Sequence, residues 1–224
     1  MTRRRSAVAL VLAGWVGVSP SQVAAQMASP EPSGLMRVAI AQGEPQVELI
    51  VTGQFRLTNA ATEEVLRYRP RLPQITFTAV PEGILMGTQL MLVPGLMIEP
   101  TEDATVRIRG QRLRGAVSVT RQPDQTLLVI NHLDLEDYLR GVLAKEVPDY
   151  WPGEALKAMA IASRTYALFQ RVAKNDAAYD VTADVMSQLY GGKSAERWRT
   201  RRAVRDTRGL VLTDRRSIFP AYYH

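Results

Sequence analysis

Glu146 is the residue whose position most invites chemistry. It follows Val142 by four residues, so on a helix it extends the row Leu135, Leu139, Val142 and puts a carboxylate on an apolar stripe. It also stands just ahead of Pro148, at the end of any helix that opens near Leu135, where the helix dipole disfavours another negative charge. Burial and dipole act in one direction, raising the carboxyl pKa and keeping a proton available near neutral pH, which is what a general acid needs. The other arrangement open to it is a side chain turned out at a frayed helix end, paired with Lys145 or an arginine.

Arg164 is the second candidate, set between Ser163 and Thr165 in an otherwise apolar stretch. A guanidinium there calls for a carboxylate, either in a structural ion pair, with Glu146 as one partner, or on a ligand that also offers hydroxyls. Tyr166, Gln188 and Tyr190 supply the aromatic and amide groups that carbohydrate sites use, and Tyr166 fits a plain core position equally well. Residues 197–216 hold eight arginines against Glu196, Asp206 and Asp214. A solvated basic face explains them best; aromatic interleaving is limited to Trp198, so a nucleic-acid partner is not expected, and an anionic cell-wall polymer fits better. Cysteine is absent and the histidines are only His132 and His224, which removes disulfides, thiolate chemistry and histidine-rich metal centres. Gly-rich phosphate loops, G-x-S-x-G elbows and H-E-x-x-H pairs are also missing.

The elements that must position these groups change character along the chain. Between residues 35 and 131 apolar residues alternate, as in Met36, Val38, Ile40 and in Val47, Leu49, Val51, with Gly and Pro at turn spacing. That period means strands, with residues 60–68 the one place where a helix could interrupt. From Leu133 the period turns helical. Asp134 is a good N-cap with Glu136 and Asp137 in the first turn, Leu133 can staple to Tyr138, and Glu136 can pair with Arg140. A second helix opens at Pro152 and runs about six turns to Lys174. Its small-sided face, Ala155, Ala158, Met159, Ala162, Tyr166 and Phe169, predicts a buried, central helix. Residues 179–190 read as a loop, 195–205 as a short basic helix and 210–213 as a strand. The expected class is α+β: a β-rich N-terminal half, then a helical-pair catalytic core with further strands.

The first residues read as an address. Arg3, Arg4 and Arg5 precede an apolar run over 7–18 and the small-residue pattern Val23-Ala24-Ala25, so a signal peptide of residues 1–25 cleaved after Ala25 is expected. The run has 12 residues, against the roughly 20 that span a bilayer. Removing the leader takes three of 28 basic residues and no acid, leaving 25 against 22. The expected product is exported to the periplasm or cell envelope and meets the membrane only during export. A linker over 26–34 and a β-rich region over 35–109 would precede a domain over 110–224, which breaks off in an apolar strand and so reads as truncated.

The segment LDLEDYLRGVLAKEVPDYWPGEALKAMAIASRTYAL, residues 133–168, closely resembles the signature of the stage II sporulation protein D family, also called the amidase-enhancer domain family. GQRLRGAVSV and LLVINHL before it, and YDVTADVMSQLYGG and AVRDTRGLVLT after it, follow that family's order. The resemblance implies an exported cell-wall protein that acts as a lytic transglycosylase on peptidoglycan glycan strands, or one that binds the wall and activates an amidase without catalysis. It puts the catalytic glutamate on Glu146 and the family's arginine on Arg164; Tyr166, Gln188 and Tyr190, read from their side-chain types, complete the expected substrate contacts. Some members bind zinc through histidine and cysteine around YDVTADVMSQLYGG. Here Thr182, Met186 and Ser187 stand there, so no zinc and no other cofactor is expected.

Overall fold

The computed structural model describes residues 35–175 and 177–223. The leader and linker expected over 1–34 therefore lie outside the described residues. Twelve strands come first: β1 Met36–Glu44, β2 Gln46–Thr52, β3 Phe55–Asn59, β4 Val65–Arg69, β5 Leu72–Val80, β6 Gly83–Met86, β7 Gln89–Met91, β8 Gly95–Pro100, β9 Thr105–Ile108, β10 Gln111–Leu113, β11 Ala116–Arg121 and β12 Leu127–Leu133. Helices α1 Leu135–Glu146 and α2 Gly153–Ala173 follow, then β13 Val181–Thr182, α3 Gly192–Ala195, α4 Trp198–Asp206 and the hairpin β14 Thr213–Asp214 with β15 Ser217–Ile218. The fold is α+β with its strands concentrated in the N-terminal half.

Alternation does the work of building the core. Met36, Val38 and Ile40 from β1, Val117 and Val119 from β11, Val47, Leu49 and Val51 from β2, and Val106 and Ile108 from β9 are buried in one apolar cluster. The strands turn every second side chain into this cluster, and β1 and β12 bury their other face as well, in a smaller cluster of Ala39, Leu128 and Ile130. One sheet runs β13-β1-β12-β11-β8-β3-β4 and the other β10-β9-β2-β5-β6-β7. Tyr138, Leu139, Val142 and Leu143 of α1 and Leu156, Ala160 and Ala167 of α2 extend the same cluster, so sheets and helices share one core. Strands from both sides of residue 110 contribute to both sheets, mixed within the first and with β10 at the edge of the second. Residues 60–68 form the turn into β4 and its strand rather than a helix, since β3 pairs antiparallel with β4 from Phe55↔Arg69 inward.

The helix boundaries follow local chemistry. Asp134 caps α1, its Oδ1 accepting from the Glu136 amide at 2.8 Å. Val147 is already extended at φ −134, ψ 147, as a residue before proline must be, and the helix ends at Glu146. In α2 Leu156, Ala160 and every residue from Ser163 to Leu168 are buried, whereas of the small-residue row read in the sequence Tyr166 is buried, Ala155, Met159, Ala162 and Phe169 are half-buried and Ala158 is exposed. The reason is polar: Ser163 and Arg164 find partners inside, and those partners set the helix's rotation. Among the described residues no helix is long and apolar enough to cross a membrane.

Candidate functional site

Glu146 sits half-buried on the last turn of α1. Its Oε1 accepts the backbone N–H of Leu189 at 2.7 Å, so the helix end and the loop after β13 are joined through this carboxylate. Among the described residues Oε2 accepts no hydrogen bond. The buried stripe foreseen for Glu146 is real through Leu139 and Val142, but its own turn reaches the surface.

The loop carrying Leu189 is tied down at both ends. At its start Asp180, fully buried, takes the Arg37 guanidinium on Oδ1 at 2.6 and 3.0 Å and the Arg37 amide on Oδ2 at 2.8 Å. The same guanidinium donates to the carbonyls of Lys174 and Ala177 just past the end of α2. Next, β13 adds in parallel to β1, Val38 opposite Val181. At its far end the Tyr190 hydroxyl donates to Asn131 Oδ1 at 3.0 Å, and the Gly191 amide donates to the Gly141 carbonyl at 3.2 Å. Gly141 is required here: a Cβ on it would lie 2.6 Å from Cε2 of Tyr190.

Gln188 is the polar hinge of the arrangement. Its Oε1 accepts from the Tyr138 hydroxyl at 3.1 Å, and its Nε2 donates to the Tyr223 hydroxyl oxygen at 2.7 Å and to the Ser163 carbonyl at 3.3 Å. Ser163 Oγ also donates to Tyr223, at 3.0 Å. Burial pushes the Tyr223 phenol up, against the Ser163 and Gln188 hydrogen bonds, with the Glu146 charge adding to the rise. Burial likewise holds the Tyr138 and Tyr190 phenols well above the ordinary range, so both remain protonated donors. The Tyr166 ring meets that of Tyr222 at 5.9 Å, centroid to centroid.

Of the residues read in the sequence, the fold thus gathers Glu146, Gln188 and Tyr166 around the 187–189 stretch and Tyr223. Tyr190 lies behind it, its ring 5.3 Å from that of Tyr138 and its hydroxyl on Asn131. Arg164 points elsewhere. One residue on from Ser163 along a helix means a turn of about 100°, toward the opposite end of α1. There, 1% exposed, Arg164 makes a bidentate pair with Glu136 at 2.7 and 2.8 Å and donates to the carbonyls of Val204 and Leu210 at 3.2 and 3.1 Å. It is a framework residue joining both helices to α4, and its partner is Glu136, not Glu146. Arg140 in turn pairs with Asp137 rather than Glu136. Tyr138, Ser163 and Tyr223 went unread as site residues. A tyrosine and a serine inside amphipathic helices carry no periodic anomaly; Asn131, a lone amide within the apolar run LLVINHL, was the one available signal of a polar anchor.

Zinc does not fit the residues that stand where some relatives hold it. Thr182 Oγ1 donates to Asp184 Oδ1 at 2.7 Å, Ser187 Oγ accepts from the Thr182 amide at 3.1 Å, and Met186 is exposed at the turn's tip. These side chains knit a turn with hydroxyls and a thioether, poor ligands for zinc. Among the described residues no group of three or more His, Cys, Asp or Glu converges on a point.

With this geometry in hand, comparison places the protein. Residues 123–213 match the stage II sporulation protein (SpoIID) family, a stretch that runs from β12 through both helices and the Gln188 loop to β14. Over that stretch the chain is similar to the SpoIID family. It is 37% identical over 101 residues to an uncharacterised protein of Brachyspira hyodysenteriae, covering 45% of this chain and 27% of the relative. A second uncharacterised protein, from Chlamydia muridarum, is 31% identical over 160 residues, 66% of this chain and 56% of that one. The amidase enhancer of Bacillus subtilis is 39% identical over 87 residues, 38% of this chain and 11% of its own length. The chain therefore spans little more than half, or less, of the curated relatives it matches.

Proposed function

We propose that the protein acts on the bacterial cell wall as an exported lytic transglycosylase, cleaving peptidoglycan glycan strands with Glu146 as its single acid and base. The observation that carries this reading is the Glu146 carboxylate: one oxygen is fixed by the Leu189 amide, while the other is left for a substrate at the half-open end of α1. In the reaction, protonated Glu146 gives its proton to the oxygen bridging N-acetylmuramic acid and N-acetylglucosamine as the bond from that oxygen to the anomeric carbon breaks. The muramic acid ring becomes oxocarbenium-like, its own C6 hydroxyl oxygen bonds to the anomeric carbon, and the hydroxyl proton returns to Glu146. No water is consumed. A hydrolase would need a second carboxyl about 5–5.5 Å away for retention or about 6.5–9.5 Å for inversion. The two that follow in sequence are Asp149, half-buried in the turn after Pro148, and Glu154, exposed and paired with Lys157 at 2.9 Å.

A second reading is favoured by the likeness to the amidase enhancer: a wall-binding protein that raises the activity of a cell-wall amidase without cutting glycan itself. One experiment separates the two. The protein, in its full natural length, is incubated with purified peptidoglycan and the products are analysed by mass spectrometry, alongside Glu146→Gln. The amide keeps the acceptor for Leu189 but has no proton to give, so anhydro-muropeptide release should fall on the order of 100-fold or more with folding intact. Release at the parent rate by the variant would make Glu146 structural. No release by the parent, with stimulation of an added amidase, would make the protein an enhancer.

A further inference from the structure

The basic surface of α4 is not used by any of this. A groove of about 320 Å³ runs between the first turns of α2 and the length of α4, lined by Trp198, Arg199, Arg202 and Lys157 together with Glu154 and Asp206. Trp198 is 68% exposed, an unusual setting for so large an apolar ring, and Arg199 lies over it at 5.9 Å. Glu154 pairs with Lys157 and Asp206 with Arg202, but among the described residues Arg199 meets no carboxylate; it donates to the carbonyl of Trp151 at 2.8 Å. Trp151 is itself part-exposed and follows Tyr150, 77% exposed, on the loop leaving α1. That loop begins at Glu146. Five residues reach at most about 18 Å, so Glu146 lies within that distance of Trp151, whose carbonyl holds Arg199.

We infer that this groove is an accessory site for an anionic glycan, which continues from the Glu146 end of α1 across Tyr150 and Trp151 and stacks a sugar on Trp198 while Arg199 and Arg202 take its carboxylates. Aromatic faces beside guanidinium groups suit such a ligand because sugar rings offer apolar faces and carboxylates suit the planar donor fork. The occupant named is peptidoglycan, whose muramic acid and stem peptides carry carboxylates, so the ligand's identity rests on the reading given under Proposed function. The site is distinct from Glu146 and would hold the strand rather than cut it.

The test is co-sedimentation of the full chain with purified peptidoglycan, with salt as a variable, and with uncharged N-acetylglucosamine oligomers as a soluble competitor. The double variant Arg199→Gln/Arg202→Gln should weaken binding tenfold or more and flatten its salt dependence, since screening acts on exposed charges. Trp198→Ala should weaken it several-fold, and the neutral oligomers should compete poorly. Arg205→Gln/Arg208→Gln removes equal charge from the same exposed face outside the groove and should change binding less than twofold. Thermal midpoints report that each variant is folded. Parent-like binding by the first double variant would overturn the inference, and so would equal losses from both pairs, or tighter binding to duplex DNA or anionic vesicles than to peptidoglycan. A parent chain that fails to bind peptidoglycan at all would instead remove the reading on which the ligand's identity rests.

Discussion

The two ends of α1 each carry a glutamate, and the protein treats them oppositely. Glu136, in the first turn, is buried and locked by both its oxygens to Arg164. Glu146, in the last, is half-exposed and held through one oxygen by one amide. Ten residues and about 15 Å of helix separate a carboxylate that binds the framework from one with an oxygen left unmatched. A charge becomes structural when every acceptor it has is matched inside, and it stays chemically usable when the fold fixes its position but not its full hydrogen-bonding capacity.

The sharpest way to break this contrast is at the locked end. Arg164→Ala leaves a buried carboxylate without its cation, and losing one partner of a buried pair costs about 3–5 kcal/mol. In a domain of this size that is a fall in thermal midpoint on the order of 10 °C. The double change Arg164→Met/Glu136→Leu should recover most of it, because shape-matched apolar groups replace such pairs at little cost. A loss under about 1 kcal/mol for the single variant would mean that water reaches Glu136. Next comes Gly141→Ala, which drives a methyl into the Tyr190 ring and should cost about 1–3 kcal/mol in denaturant unfolding while loosening the far end of the Gln188 loop. At the usable end, Glu146→Gln should cost less than about 1 kcal/mol in the same assay, since the amide oxygen still accepts from Leu189. Equal losses at Glu136 and Glu146 would erase the distinction.

The smallest effect concerns β12, which lies next to the β1 strand that anchors the loop. His132 donates to or accepts from Ser118 Oγ at 2.8 Å, and burial, reinforced by the Arg37 charge, lowers its pKa despite Asp180. Below the ordinary histidine value of about 6.5 the unfolded chain binds the proton that the folded one refuses. This contribution is complete above that pH and is lost as pH falls toward the lowered folded value. His132→Gln should flatten that part of a stability–pH profile and change little at pH 8.

How much of this was legible in the residues depends on the range of the interactions. Asp134, the apolar row of α1 and Pro148 are local signals, and they fixed the helix and the end where Glu146 stands. The strands were legible because burial on one face imposes period two. The partner of Arg164 was not, because the choice among Glu136, Glu146 and a ligand is made by the packing of α1 on α2. The rotation of α2 was misread for the same reason: counting small side chains cannot weigh a buried guanidinium. Tyr223 entered through contacts with residues 35 and 60 positions earlier, which no periodicity records.

Arg37 has a bearing on how the molecule comes into being. It lies at the start of the sheet, yet its carboxylate partner is 143 residues further on, and β1 pairs with β12 and β13 rather than with a strand beside it in the chain. Such distant pairings close large loops before any contact rewards them, which slows folding. Strand β1 is made early and waits for nearly everything else, its apolar side chains and hydrogen-bonding edge exposed in the meantime. The Leu189 loop is itself held to β1 through Asp180 and β13, so the Glu146 carboxylate gains its bound geometry only once these distant pairings exist.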